Sequence, residues 1–159
     1  MSETANMKVG AGPVDGLRLT SVIFAVLGTL DAGYLTYIKL AHVEALCRGV
    51  GNCESVNSSV YSEVYGIPIA IFGLLAYLAL LALLLLETRL PILQDYGPLA
   101  VFGLALTGTL YSAYLTYVEL FLIHAVCPYC VASALLITGL LLIAVVRLAR
   151  GPQGGLSEQ

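Results

Sequence analysis

The amino-acid sequence predicts an all-α membrane protein. We expect a bundle of four transmembrane helices, with a short extracytoplasmic loop helix between the first and the second. Two observations lead to this prediction. Of the 159 residues, 59% are hydrophobic and only 11% are charged, whereas about a quarter of a soluble domain is charged. The chain also contains uncharged runs of 23 residues at 64–86, 23 at 96–118 and 27 at 120–146.

The length of these runs indicates helices that cross a bilayer. A helix needs about 20 residues to span a hydrocarbon core of roughly 30 Å. We therefore predict transmembrane helices at about 17–41, 67–87, 97–119 and 127–148. The runs are too long for strands, and a closed barrel would need at least about eight of those. The first helix is too long for a cleaved signal peptide.

A single membrane domain is expected over residues 17–148. The polar segments 1–16 and 149–159 are predicted to be flexible tails. The net charge is −3 with only seven Lys and Arg residues, so we expect no nucleic-acid partner. The partners expected from composition are membrane lipids.

The positive charges predict the orientation in the cell membrane. Five lie on the side of the two termini, namely Lys8, Arg18, Arg89, Arg147 and Arg150. The other side has only Lys39 and Arg48. Positive residues accumulate on the cytoplasmic side, so we expect both termini in the cytoplasm and the cysteines outside it.

An internal repeat relates the first and third helices. Residues 28–47 and 108–127 are identical at 10 of 20 positions with a constant offset of 80. One further helix follows each copy, so the two copies run in the same direction through the membrane. Each copy ends in a cysteine, and we expect Cys47 and Cys127 at the same membrane face.

The four cysteines form two closely spaced pairs. Cys47 and Cys53 lie in a hydrophilic loop, CRGVGNC, and Cys127 and Cys130 form CPYC at the start of the fourth helix. The start of a helix lowers the pKa of a thiol, and a C-x-x-C spacing permits an exchangeable disulfide. A dithiol relay fits this pattern. Two stabilising disulfides and a zinc site are the alternatives, although C-x-x-C loops gain little stability from closure and the spacing is irregular for zinc. We expect no metal.

Two other polar residues allow two interpretations each. Asp31 lies about two turns inside the first helix, where a carboxylate either has a structural partner or provides a proton route. His124, three residues before Cys127, could assist that thiol or be an ordinary solvated histidine at the membrane surface.

The loop CRGVGNCESVNSSVYSEVYGIPIAIFG (47–73), together with CPYC (127–130), resembles the vitamin K epoxide reductase (VKOR) family. The shared features are two loop cysteines, Ser59 six residues after the second, a G-I-P turn into the second helix, and C-x-x-C. The resemblance is to the bacterial and archaeal form and covers about residues 17–147. It implies a four-helix bundle around a quinone.

The resemblance also implies a role for each site residue. Cys47 would exchange with a thioredoxin-like partner, Cys53 would attack the inner disulfide at Cys127, and Cys130 would face the quinone. Ser59 would lie on the loop that covers the quinone-binding pocket. The implied disulfides are Cys47–Cys53 and Cys127–Cys130 at rest, with Cys53–Cys127 as the intermediate.

The implied function is oxidation of a thiol partner and reduction of a membrane quinone such as menaquinone or ubiquinone, in support of disulfide formation. Many bacterial members carry a fused thioredoxin-like domain, and here we expect a separate partner chain. Animal members place an Asn and a Tyr on the quinone where this chain is apolar, near Ile69 and Ala134. Plain quinone reduction is therefore favoured over epoxide reduction. The alternatives are the unrelated four-helix bacterial disulfide oxidase and a tetraspan scaffold with two structural disulfides.

Overall fold

The structure is a computed structural model that describes residues 13–43 and 53–150. The predicted tails and the segment 44–52, with Cys47 and Arg48, lie outside the described residues. The long helices are α1 (Pro13–Ala41), α3 (Ile69–Leu86), α4 (Pro91–Val118) and α5 (Pro128–Ala149). Between α1 and α3 lie α2 (Cys53–Asn57), a 3-10 turn (Val60–Ser62), β1 (Glu63–Val64) and β2 (Ile67–Pro68). A π-helical turn (Glu119–Ile123) follows α4.

The predicted fold class is confirmed. Helices α1, α3, α4 and α5 are each long and apolar enough to cross a membrane, and α2 is the short loop helix between the first two. The third span is longer at both ends than the predicted 97–119. It begins at Pro91, a residue suited to the first turn of a helix, and it continues past Val118 into the π-helical turn. The charges of Asp95 and Glu119 bounded the uncharged run without ending the helix.

The four long helices form a closed ring. Helix α1 packs against α3 and α5, and α4 packs against the same two helices. Buried apolar residues fill the centre: Ala25, Ala32, Tyr77, Leu80, Leu84, Val101, Ala105, Ile137, Leu140 and Ala144. Long side chains such as Leu30 and Leu135 are exposed on the outer faces, as a lipid-facing surface requires.

Two glycines at equivalent repeat positions permit close helix packing. A Cβ atom on Gly28 of α1 would lie 2.1 Å from the Tyr77 ring of α3. One on Gly108 of α4 would lie 2.9 Å from Ile137 of α5. Each copy of the repeat therefore accepts a large side chain from the helix that follows it.

Polar contacts close the end of the bundle where α1 begins and α3 and α5 finish. The Arg18 guanidinium donates to the Leu84 carbonyl at 2.8 Å and so satisfies an acceptor at the end of α3. Glu87 and Arg147 form an ion pair whose side chains are only 11% and 10% exposed. The opposite end, where α3 and α5 begin, is called the cysteine end below.

Breaking the Glu87–Arg147 pair should destabilise the bundle. We expect R147M to lower the free energy of unfolding by about 3 kcal/mol or more, because Glu87 then remains buried without its cation. The double variant E87L/R147M should regain most of the loss, since no unpaired charge remains. Chemical denaturation in detergent measures both, and wild-type stability of R147M would contradict the expectation.

Candidate functional site

Two free thiols lie at the start of α5. Cys127 occupies the N-cap position, Pro128 is the first helical residue, and Cys130 lies in the first turn. The Cys127 side chain is buried, that of Cys130 is partly buried, and the two thiols are hydrogen-bonded to each other. The structure therefore describes the reduced inner pair, and the Cys127–Cys130 disulfide stays a prediction.

The pKa of Cys127 lies below its ordinary value. The main cause is the hydrogen bond from the Cys130 thiol, and the backbone N–H groups of Cys130 and Tyr129 lower the pKa further. Burial and the Glu119 carboxylate act in the opposite direction. Because thiolates are the reactive form of cysteine, Cys127 is the better nucleophile of a pair that a helix start already favours.

Cys53 brings the loop pair to the same place. It is the first residue of α2, its side chain is buried, and its sulfur is in a disulfide whose other cysteine lies outside the described residues. Helix α2 packs against the π-helical turn that precedes CPYC. The structure thus brings together Cys53, Cys127 and Cys130, and the pairing with Cys47 remains a prediction.

These three cysteines line one cavity of about 460 Å³. Pockets for small molecules have volumes of about 300–1,000 Å³ and mainly apolar walls with a few polar groups. Most of the wall is apolar, with Leu35, Phe72 and Leu115 among its residues. Such a cavity suits a flat, largely apolar ring that carries a few hydrogen-bonding atoms.

The loop between α1 and α3 contributes residues within 56–64 to the cavity wall, and hydrogen bonds within this loop fix its shape. Ser59 lies in the cavity wall, and its hydroxyl donates to the Val56 carbonyl at 2.8 Å. Its place in the cover of a quinone pocket stays a prediction. The Lys39 ammonium holds the loop to the end of α1, because it donates to the Ser62 hydroxyl at 3.0 Å and pairs with Glu63 at 3.2 Å.

Glu119 is a site residue that the sequence analysis missed. Its side chain is only 4% exposed, and it lines the cavity beside the two thiols. One carboxylate oxygen accepts the Cys127 backbone N–H at 3.3 Å, and the carboxylate is also hydrogen-bonded to the Cys130 thiol. The repeat contained a signal for this residue, because Glu119 aligns with Lys39. Lys39 holds the loop before α3, and Glu119 holds the segment before α5.

Tyr77 is a second residue that the sequence did not single out. It is buried across Gly28, lines the cavity, and donates its hydroxyl to the Ser133 carbonyl at 2.8 Å. It therefore ties α3 to the helix that carries the thiols. One tyrosine among ten gave no pattern that could have predicted this contact.

Two further sequence candidates, Asp31 and His124, are not among the residues that line the cavity. Asp31 is partly buried in α1, outside the residues that line the cavity, and its Oδ2 has no hydrogen-bond partner within the described ranges. His124 is exposed and ends the π-helical turn in the left-handed conformation. An ordinary solvated histidine, one of the two interpretations above, agrees with that position.

A dithiol in the wall of a mostly apolar cavity, within a bundle of helices long enough to cross a membrane, defines a class of membrane redox protein. Comparison with known proteins agrees with this class. Residues 19–145 match the family model described as the vitamin K epoxide reductase family. The chain belongs to the VKOR family, and it is a multi-pass membrane protein.

A curated relative adds a description of activity. The chain is 36% identical over 122 residues to the thiol-disulfide oxidoreductase LTO1 of Arabidopsis thaliana. The match covers 73% of this chain and 32% of the relative, so the chain spans about a third of the length of that protein. The name of this relative describes an activity on thiols and disulfides.

The lowered pKa of Cys127 predicts its pH dependence. Alkylation by iodoacetamide requires the thiolate, so Cys127 should react at a lower pH than an ordinary cysteine. In C130A the hydrogen-bond donor is lost, so the midpoint of the Cys127 alkylation rate should move to higher pH. Peptide mass spectrometry of the reduced protein measures both rates, and an unchanged midpoint in C130A would refute the assigned cause.

Proposed function

We propose that the protein is a membrane oxidoreductase that oxidises a separate thioredoxin-like protein and passes the electrons through two cysteine pairs to a membrane quinone. The observation that carries this proposal is the shared cavity, which Cys53, Cys127 and Cys130 line together. One cavity thus holds the sulfur of a loop cysteine, the two inner sulfurs and enough space for a quinone ring. The family match and the thiol-disulfide oxidoreductase relative support the same activity.

The first half of the reaction is disulfide exchange. A thiolate of the partner attacks the Cys47–Cys53 disulfide at Cys47, and Cys53 leaves as a thiolate. Cys53 then attacks the inner disulfide at Cys127 and displaces Cys130. The second partner thiolate attacks the partner sulfur of the mixed disulfide, which releases the oxidised partner and the Cys47 thiolate. Cys47 then attacks Cys53, re-forms the Cys47–Cys53 disulfide and releases Cys127, so two electrons have moved to the inner pair. The burial of α2 against the π-helical turn keeps Cys53 at the cavity for this attack.

The second half returns the inner pair to the disulfide. The Cys127 and Cys130 thiols become one disulfide, and two electrons and two protons pass to the quinone. The apolar wall would hold the ring, and Tyr111 of the lining offers a hydroxyl group to its oxygens. In such chemistry the protein positions sulfur and ring, while the acceptor supplies the redox potential.

The bias in positive charge supports the proposed orientation of the protein in the membrane. With both termini in the cytoplasm, the cysteine end faces the exterior, where disulfides persist. The protein then supports disulfide formation in exported proteins, with menaquinone or ubiquinone as the acceptor class. The free dithiol at Cys127 and Cys130 supports this relay over a scaffold with two structural disulfides.

Loss of Cys130 should separate the two halves of the reaction. C130A is expected to abolish quinone reduction, because no inner disulfide can form, while Cys47 still forms mixed disulfides with the partner. The assay follows the quinone absorbance in proteoliposomes that contain a reduced thioredoxin-like protein, with D95N on the far end of α4 as the control variant. Quinone turnover by C130A, or none by the wild type, would contradict the proposal.

Loss of Cys47 should trap the link between the pairs. In C47S the Cys53 thiol cannot return to its loop partner, so a Cys53–Cys127 disulfide should accumulate. Non-reducing peptide mapping after acid quenching measures it, and the C47S/C127S double variant is the matched control. A map of C47S that contains only the Cys127–Cys130 disulfide would count against the assigned order of attack.

A further inference from the structure

The buried carboxylate of Glu119 has an unusual set of partners. Glu119 begins the π-helical turn that follows α4, at the cysteine end of the bundle, and only 4% of the residue is exposed. Burying a carboxylate is costly unless a cation or several hydrogen bonds compensate it. Within residues 13–43 and 53–150 the carboxylate pairs with no Lys or Arg. Its hydrogen bonds instead come from the Cys127 backbone and the Cys130 thiol.

The backbone around Glu119 holds the carboxylate in place. The Glu119 carbonyl accepts the N–H groups of His124 and Ala125, the latter at 3.1 Å, because the π-helical turn widens the end of the helix. π-helical turns of this kind occur frequently at functional sites. Since Ala125 and Cys127 are also buried, the segment between the turn and α5 has little freedom to move.

Oxidation of a dithiol requires proton acceptors as well as an electron acceptor. Cys130 starts as a thiol, and its sulfur can form the inner disulfide only after its proton has left. Glu119 and Cys127 are both buried, and the cavity wall is mostly apolar. The titratable residues of the described cavity lining are Glu119, three cysteines (Cys53, Cys127 and Cys130) and three tyrosines (Tyr61, Tyr77 and Tyr111), so no other carboxylate and no histidine of that lining could take the proton.

We propose that Glu119 is a catalytic residue that accepts the Cys130 thiol proton as the inner disulfide forms and delivers it to the quinone. This proposal rests on the proposed function. The S–H bond of Cys130 breaks, the Cys127–Cys130 bond forms, and the electron pair goes to the quinone. Glu119 takes the Cys130 proton to the quinone, and the second proton is the one that Cys127 loses. Two thiols and one quinone thus become one disulfide and one hydroquinone, with two electrons and two protons transferred.

A purely structural role for Glu119 makes a different prediction. If the carboxylate only anchored Cys127, an amide would serve nearly as well, because the Gln side-chain oxygen also accepts a backbone N–H. The variant E119Q keeps that acceptor and removes the ability to take up a proton. The variant E119D keeps the carboxylate and sets it back by one methylene.

The test is a single-turnover measurement on pre-reduced full-length protein in proteoliposomes, with ubiquinone-1 as the probe. We expect E119Q to reduce quinone about 100-fold more slowly than wild type near neutral pH, as positioned acid–base groups contribute roughly 10²–10⁴-fold. The deficit should shrink as pH rises, since hydroxide can then remove the thiol proton. E119D should retain more activity than E119Q. D95N, which removes a carboxylate from the far end of the same helix, should behave as wild type.

The outcomes separate this proposal from the function on which it rests. If wild-type protein reduces no quinone, the proposed function fails. If wild type reduces quinone and E119Q matches its rate and pH profile, the role of Glu119 is overturned and the function stands. If E119Q shows no melting transition in detergent, E119S, which also removes the carboxylate, decides, and a wild-type rate and pH profile for E119S would overturn the proposal.

Discussion

The start of α5 imposes the constraint on which the site depends. The first N–H groups of any helix lack partners within that helix, and in an apolar surrounding each unsatisfied group costs several kcal/mol. Here the Cys127 N–H meets the Glu119 carboxylate, and the N–H groups of Tyr129 and Cys130 point at the Cys127 sulfur. The requirement that polar backbone be satisfied therefore places a carboxylate and a readily ionised thiol side by side.

The repeat explains how two copies of one helix position two different parts of the site. In both copies a helix ends near the cysteine end and a large side chain packs onto its glycine, Gly28 or Gly108. At the aligned positions the charges are opposite. Lys39 extends to the loop that covers the cavity, and Glu119 extends to the helix that carries the thiols. The first copy thus positions the covering loop, and the second positions the inner sulfur pair.

The sequence predicted the fold well because the four spans depend on a local property, the length of each uncharged run. Uncharged runs of sufficient length locate the four spans, and CPYC at the start of α5 follows from its place before a run. Ser59 in the cavity wall came from the family resemblance. Glu119 was missed because a charge between two apolar runs is typical of a membrane boundary. Its burial depends on the π-helical turn and on α2, and neither contact has a signature in the local sequence.

The two inner sulfurs differ in ways that suit a relay with one direction. Cys127 is at the N-cap, has a lowered pKa and lies beside the turn on which the loop helix packs, and the proposed relay assigns it the attack by Cys53. Cys130 lies one turn further into α5, and its single S–H has two hydrogen-bond acceptors, the Cys127 sulfur and the Glu119 carboxylate. An attack at Cys127 therefore leaves the displaced charge on the sulfur that is deeper in the bundle and has a proton-carrying neighbour. In the proposed relay, this asymmetry would let the inner pair accept electrons from the loop side and release them toward the apolar cavity.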